Sequence, residues 1–399
     1  MGVKEIRTIV EAYKSIDFNR TQAALATVVR VEGSSYRRAG ARMLVLDDGT
    51  YLGGISGGCL EGDALRRAQK GIALGRSSVI TYDTTQDDDY QIGVGLGCQG
   101  IIDVLFTPLR PGHEGNPVEI LSGLTDIRRP EVVLTVTGGP DQEGLGRTVV
   151  GSTVVGGTGT RFEETNGLAA LPGGVDGFGT VDWLRGLAGV GERLAGVGQR
   201  LAADIRACLD ERVSRPAEYG EYKLFIEVIP PAIHVVAYGG NYDMRTLLQQ
   251  VRELGWDSTV VLNTSRADKS MTRVATRVMD NKEPGLPAID AYTAVLLMSH
   301  DYRTDMENLK KVLPSPAAYI GMLGPRKRAE KIFDAMAAEG YLLGEAERRR
   351  IYAPAGLDIG AATPEEIALS ILAEVRSHFS GRNGASLRLR EGSIYGHPL

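Results

Sequence analysis

From Ala232 onward the chain alternates short, almost wholly apolar strand patterns with helical ones, and few architectures accept that combination. Ile233 to Tyr238, Ser258 to Leu262, Ala291 to Met298 and Ala318 to Met322 are four such runs. A strand with one wet face alternates apolar and polar residues, whereas one that is apolar throughout must be covered on both faces. Helices between such strands imply a parallel, doubly covered sheet, a Rossmann-like arrangement. The last long helix is signed in full. Thr363 caps it, Pro364 takes the first helical position and Glu366 closes a capping box.

The strand pattern Leu224 to Ile229 stops at Pro230-Pro231, which marks a domain boundary. We expect an α/β protein with an N-terminal α/β domain over 1–229, a C-terminal Rossmann-like domain over 230–380 and a tail or short strand over 381–399. At about 100–200 residues per domain, 399 residues suit two or three. Within the first domain, Ala23 to Val31 reads as a strand. Met43 to Leu46 and Tyr51-Leu52 read as a hairpin turned at Asp48-Gly49. A helix begins near Leu60, and Ile101 to Phe106 is a buried strand. The stretch 117–229 is less informative. It has strand patterns at Val132 to Thr137 and Thr148 to Val155, a glycine-rich run from Leu171 to Gly198 and a helix from about Gly198 to Asp210.

Composition excludes several classes. Apolar residues at 43% and charged residues at 24% are those of a globular protein. No apolar run reaches 18 residues, and the first 15 residues lack the apolar core of a secretory signal. We therefore expect no membrane span and a cytoplasmic protein. A net charge of −5 argues against a nucleic-acid partner. Three cysteines, Cys59, Cys98 and Cys208, are too few and too scattered for a disulfide framework or a zinc template. Cys208 lies in a helical pattern and reads as core. A homodimer is the default oligomer, without a specific signal.

The anomaly is glycine: 51 residues of 399, against a usual share near ~7%. Gly53-Gly54-Ile55-Ser56-Gly57-Gly58-Cys59-Leu60-Glu61 is the densest cluster. Its glycines permit tight turns and close approach of a ligand to the backbone, and a helix opens near Cys59. Helix-start amides attract anions and favour a thiolate, so Cys59 is a candidate soft metal ligand or sulfur relay. Gly57 and Gly58 are candidate backbone donors, and Glu61 either tunes the thiol or caps the first turn. The same pattern also fits a tight turn holding a small buried cysteine. Gly95-Leu96-Gly97-Cys98-Gln99-Gly100 places a second cysteine in a second glycine loop, and Gly33-Ser34-Ser35-Tyr36-Arg37-Arg38 offers hydroxyls and guanidinium groups suited to phosphate.

In the C-terminal domain a dinucleotide fingerprint would put its glycines at Tyr238, Gly240 and Asp243, so one of three is present. Tyr238 crowds the turn, Asp243 opposes a pyrophosphate, and Asn263 stands where an acidic residue would bind ribose. Ser299-His300-Asp301 and Gly321 through Arg328, with Gly324 and Arg326, end the third and fourth strands, where such sheets bind ligands. The histidines at 113, 234, 378 and 397 form no metal spacing.

Ala26 to Gln69, Gly95 to Leu109, Tyr319 to Lys331 and Ala353 to Glu374 together resemble the xanthine dehydrogenase accessory factor family (XdhC/CoxI). The resemblance implies a molybdenum cofactor chaperone. Such a protein binds the finished cofactor, holds it while it gains a terminal sulfur, and passes it to a molybdenum hydroxylase of the xanthine dehydrogenase type. A cysteine desulfurase would donate the sulfur. On this reading we expect cofactor contacts from Ser34, Ser35, Gly57, Gly58, Cys59, Glu61 and Cys98, with Cys59 as ligand to the cofactor's molybdenum or as sulfur relay. Gly240, His300, Asp301, Gly321, Gly324 and Arg326 would serve on the Rossmann side. The chain departs from the family pattern at 238–241, at Asn263 and at Gln99. An NAD(P)-dependent oxidoreductase is the rival reading, weakened by the absent glycines and acid. A protein-binding adaptor with a vestigial nucleotide site is the third.

Overall fold

A computed structural model describes residues 2–85, 100–113, 115–140, 145–146, 148–152, 198–266, 268–391 and 394. The chain divides into two compact units, Met1–Pro231 and Ala232–Leu399. The glycine-rich run over 171–197 and Cys98 both lie outside the described residues.

The first unit begins with α1 (Val3–Lys14), β1 (Ala23–Gly33), β2 (Arg42–Leu46), β3 (Tyr51–Gly53) and α2 (Glu61–Leu74). It continues with β4 (Ser78–Asp83), β5 (Gly100–Pro108) and α3 (Pro117–Ser122). Its five strands pair antiparallel in the order β3-β2-β1-β5-β4. Leu60, Ala64 and Ala68 at the start and on one face of α2 pack against Ala24, Ala26, Met43, Val45, Val104 and Phe106 of this sheet. The small residues on the helix let it approach the strands closely, which brings its N-terminus down beside the glycine loop.

A second antiparallel sheet has the order β7-β6-β9-β8, from β6 (Glu131–Gly138), β7 (Thr148–Ser152), β8 (Arg215–Tyr219) and β9 (Tyr222–Ile229). Helix α4 (Gly198–Glu211) covers it with Leu201, Ile205 and Cys208, so Cys208 is a core residue. Burial pushes its thiol pKa up. Pro216 sits in β8, an edge strand, where a missing N–H does no harm. The two sheets meet through Val29, Leu105 and Phe225. They are also bridged by a buried ion pair: the Arg42 guanidinium donates twice to Glu227, at 2.9 and 2.5 Å, with side chains 4% and 1% exposed.

The second unit runs β10 (His234–Tyr238), α5 (Tyr242–Glu253), β11 (Asp257–Leu262), α6 (Lys269–Thr272), β12 (Arg277–Asp280) and β13 (Thr293–Leu297). Then follow α7 (Tyr302–Val312), β14 (Tyr319–Met322), α8 (Arg326–Ala338), α9 (Glu345–Arg349), β15 (Ile351–Tyr352) and α10 (Pro364–Phe379). All six strands are parallel, in the order β12-β11-β10-β13-β14-β15. Helices α5 and α10 cover one face, and α7 and α8 cover the other. This is the doubly covered parallel sheet expected from the apolar runs. Its order reverses at β10, so the crevice for a ligand falls between the turns after β10 and β13. The capping box at Thr363 and Glu366 forms as expected. After α10 the described chain makes a single 3-10 turn, Leu387–Leu389, rather than a strand. No helix among the described residues is long and apolar enough to cross a membrane.

Candidate functional site

The glycine loop between β3 and α2 is held by one serine and one carboxylate. Gly53 leaves β3 at φ 84°, where a Cβ would stand 2.5 Å from the Arg42 carbonyl oxygen, so only glycine fits the exit. Glu61, 7% exposed, turns back under the loop. Its Oε1 accepts from the amides of Ile55 (3.1 Å) and Ser56 (2.8 Å), and its Oε2 accepts from the Ser56 hydroxyl (2.5 Å). Burial opposes ionisation of Glu61. The Ser56 hydroxyl and the loop amides outweigh it and hold the carboxyl below the ordinary glutamate range. Ser56 Oγ in turn accepts from the amides of Gly58 (3.2 Å) and Leu60 (3.0 Å), and Cys59 Sγ lies 3.4 Å from it.

The carboxylate of Glu61 therefore positions the loop rather than touching the thiol. The amide of Gly58, a candidate backbone donor, donates to Ser56 Oγ. The loop amides with no partner among the described residues are those of Gly57 and Cys59, and the half-buried thiol of Cys59, outside any disulfide, donates to Ser56 Oγ. The loop thus offers one soft sulfur and two N–H groups at the start of a helix.

The block from Gly33 to Arg38 reaches this loop through Tyr36. The ring of Tyr36 lies over Gly57, where a Cβ would stand 3.3 Å from Tyr36 Cγ. Gly33 pairs with Gly100 across β1 and β5, and Gly100 approaches so closely that a Cβ would lie 2.3 Å from the Ser34 carbonyl oxygen. The Ser34 side chain is exposed. Ser35 is 3% exposed, and its hydroxyl has no hydrogen-bond partner. Cys98 precedes Gly100 by two residues and lies outside the described residues. Ser56 belongs to the glycine cluster, but nothing in its local sequence marks it as the hub.

In the second unit the β10 and β13 turns touch. Gly239, at φ 142°, leaves room for only 2.4 Å between a Cβ and the Met298 carbonyl oxygen. Asn241 donates from Nδ2 to the Ser299 carbonyl at 3.3 Å. His300 takes φ 59°, which non-glycine residues rarely adopt, and its Nε2 pairs with Asp243 Oδ2 at 2.8 Å. Ser299 donates to Asp305, which also accepts from Arg328 at 2.6 Å. Burial raises the Asp305 pKa against these bonds. Asp301 caps α7 through Thr304. Beside these turns lies a cavity of about 660 Å³ whose wall includes Gly240 and Asp301.

The other C-terminal candidates lie outside that wall. Gly321 is inside β14, where a Cβ would strike Tyr319 and Leu296 at 2.8 and 2.9 Å, so packing accounts for this glycine. Gly324 and the exposed Arg326 stand at the turn into α8. The sequence does not mark Asp243 and Asp305 as hydrogen-bond partners, because each finds its neighbour only after folding.

The description "XdhC and CoxI family" matches residues 19–83, which hold the Gly33, Tyr36 and Gly53–Glu61 segments. The description "XdhC Rossmann domain" matches residues 235–375, which hold the six-stranded sheet except its first residue. The chain belongs to the XdhC/CoxI family. It is 26% identical over 370 residues to a Bacillus subtilis protein named as a probable xanthine dehydrogenase subunit, covering 90% of this chain and 93% of that one. It is 22% identical over 356 residues to the Escherichia coli molybdenum cofactor insertion chaperone PaoD, covering 89% and 83%. Its fold matches a solved Bacillus halodurans structure described as a xanthine dehydrogenase. That match has a TM-score of 0.67 at 24% identity and covers 97% of this chain and 98% of the other. In this XdhC/CoxI chain, the Ser56–Glu61 lock and the β10–β13 turn contact each fall inside a matched region.

Proposed function

We propose that this chain is a molybdenum cofactor maturation factor whose N-terminal glycine loop holds the cofactor as cargo. One observation carries the reading: a half-buried, reduced Cys59 thiol held toward Ser56 on a loop locked by Ser56 and Glu61, beside two unpartnered amides. The donor set suits this cargo. Molybdopterin carries its own dithiolene, so the metal needs one soft ligand from the protein rather than a cluster. Among the described residues no group of three His, Cys, Asp or Glu is placed to hold a bare metal ion. A thiol is the soft donor such a centre accepts. The amides of Gly57 and Cys59 suit an anionic oxygen, as N–H groups at a helix start do.

The family membership and the likeness to an insertion chaperone support this reading over a catalyst. In the finer reading the cofactor gains its terminal sulfur on this chain from a cysteine desulfurase, with Cys59 as ligand or relay. It is then delivered to a molybdenum hydroxylase of the xanthine dehydrogenase type. A reducing cytoplasm suits a free Cys59 thiol.

The test is transfer. Protein loaded anaerobically with sulfurated cofactor and desalted is mixed with an apo molybdenum hydroxylase. The expected result is hydroxylase activity well above that given by the same amount of free cofactor. Equal activity with and without the chain would contradict delivery.

A further inference from the structure

The cavity of about 660 Å³ in the second unit lies well within the ~300–1,000 Å³ usual for small-molecule sites. It opens at the carboxyl ends of β10, β11 and β12 and is walled by α7, so it occupies one side of the point where strand order reverses. A dinucleotide straddles that point, with its diphosphate on the helix that follows the first strand. Here the first turn of that helix, α5, carries Asp243 bonded to His300, and Asn241 ties the β10 turn to Ser299. A carboxylate stands where the diphosphate would pass. The remaining space suits half of such a ligand.

The lining describes that half. Val261, Met279, Leu286 and Pro287 give apolar surface for a flat ring. Tyr238 also lines the cavity, is 5% exposed, and its hydroxyl has no hydrogen-bond partner. Burial raises its pKa to about 12, so it stays a neutral donor. A buried hydroxyl without a partner is rare and implies that something else satisfies it.

The amide side chains are available as well. Asn263 spends its oxygen on Ser265 and keeps its N–H donors, and Asn281 and Asn308 make no side-chain bond among the described residues. The acids are already engaged. Asp280 holds Thr264 and the Lys282 amide, Glu283 holds the Asp280 amide, Asp301 caps α7, and Glu307 pairs with Lys310. The cations are not: Arg303 and Lys311, on the α7 wall, have no hydrogen-bond or ion-pair partner among the described residues.

We infer that this cavity binds a single nucleoside 5′-monophosphate, with its base in the apolar slot at the Tyr238 hydroxyl and its phosphate toward Arg303 and Lys311. The inference rests on the second unit alone. Nucleotide binding and cofactor retention are separate readouts, so either can fail without the other.

The test is calorimetric titration of the full chain with AMP and CMP, with adenosine and NAD⁺ as comparators. Saturable binding of AMP or CMP is expected, with NAD⁺ no tighter. Tyr238→Phe should weaken the tighter monophosphate about tenfold, the factor that one lost hydrogen bond of about 1.4 kcal/mol gives. The melting temperature of that variant should not fall, because the hydroxyl has no partner within the protein. Lys311→Ala should weaken the monophosphate but not adenosine. No saturable binding of either monophosphate at millimolar concentration would overturn the inference. So would binding indifferent to both substitutions, or NAD⁺ binding at least tenfold tighter than AMP.

Discussion

Replacing Glu227 by alanine is expected to lower the unfolding free energy by about 3–5 kcal/mol, because it takes a bidentate carboxylate from a buried guanidinium. Arg42 and Glu227 are 4% and 1% exposed and pair bidentately between β2 and β9, across the two sheets of the first unit. Arg42 also donates to the neutral Gly40 carbonyl at 2.9 Å. The pair itself adds little net stability, since desolvating two ions nearly cancels their attraction. Removing both charges together, as Arg42→Met with Glu227→Leu, should therefore return stability to within about 1–2 kcal/mol of the native chain. Urea denaturation of the three proteins measures this. A single-variant loss below about 1 kcal/mol would mean that Arg42 reaches water and that the sheets do not depend on the pair.

Glu61→Ala is expected to reduce cofactor retention about tenfold or more while Cys59 is still present. The substitution takes the acceptor from two loop amides and from the Ser56 hydroxyl at once. Ser56 then loses the partner that orients its oxygen toward the Gly58 and Leu60 amides, and Cys59 is no longer held at the start of α2. Each buried group left unpaired costs about 1–3 kcal/mol. The carboxyl pKa of Glu61 is depressed on folding. Its stabilisation is thus complete above the unfolded value near ~4.3 and is lost as pH falls through the folded value. Melting temperatures of the native chain and Glu61→Ala should differ at pH 7 and converge in acid below that range. A difference that widens in acid would contradict the direction of the shift.

The C-terminal sheet is legible in the sequence because burial on both faces leaves its mark residue by residue. The strands around Val235, Val260, Val295 and Ile320 are mostly apolar on both faces, as a half-exposed strand is not. The α10 start is legible because Thr363, Pro364 and Glu366 act within four residues. The first helix is harder to see. Lys4, Glu5, Arg7 and Glu11 give the segment a charged character, while Val3, Ile6, Ile9, Val10 and Tyr13 form its buried stripe. Strand β8 is hidden because Pro216 signals a break, and only its place at the sheet edge makes proline harmless there.

The candidate site divides in the same way. Cys59 and its glycines stand together in the chain, so their chemistry can be proposed from the sequence. The lock that positions them depends on a side chain folding back by five residues, from Glu61 to Ser56. Tyr36 over Gly57, His300 with Asp243, and Arg42 with Glu227 join residues 21, 57 and 185 apart, and no local pattern records such pairs.

The direct test of the Cys59 loop is a paired anaerobic retention measurement. The native chain and Cys59→Ala are mixed with molybdenum cofactor, desalted, and assayed for molybdenum and pterin, with circular dichroism showing that both are folded. Near one equivalent of each on the native chain, and a loss to near background in Cys59→Ala, is the expected result. Equal retention by the two folded proteins would remove Cys59 from the site and contradict the proposed role of the glycine loop.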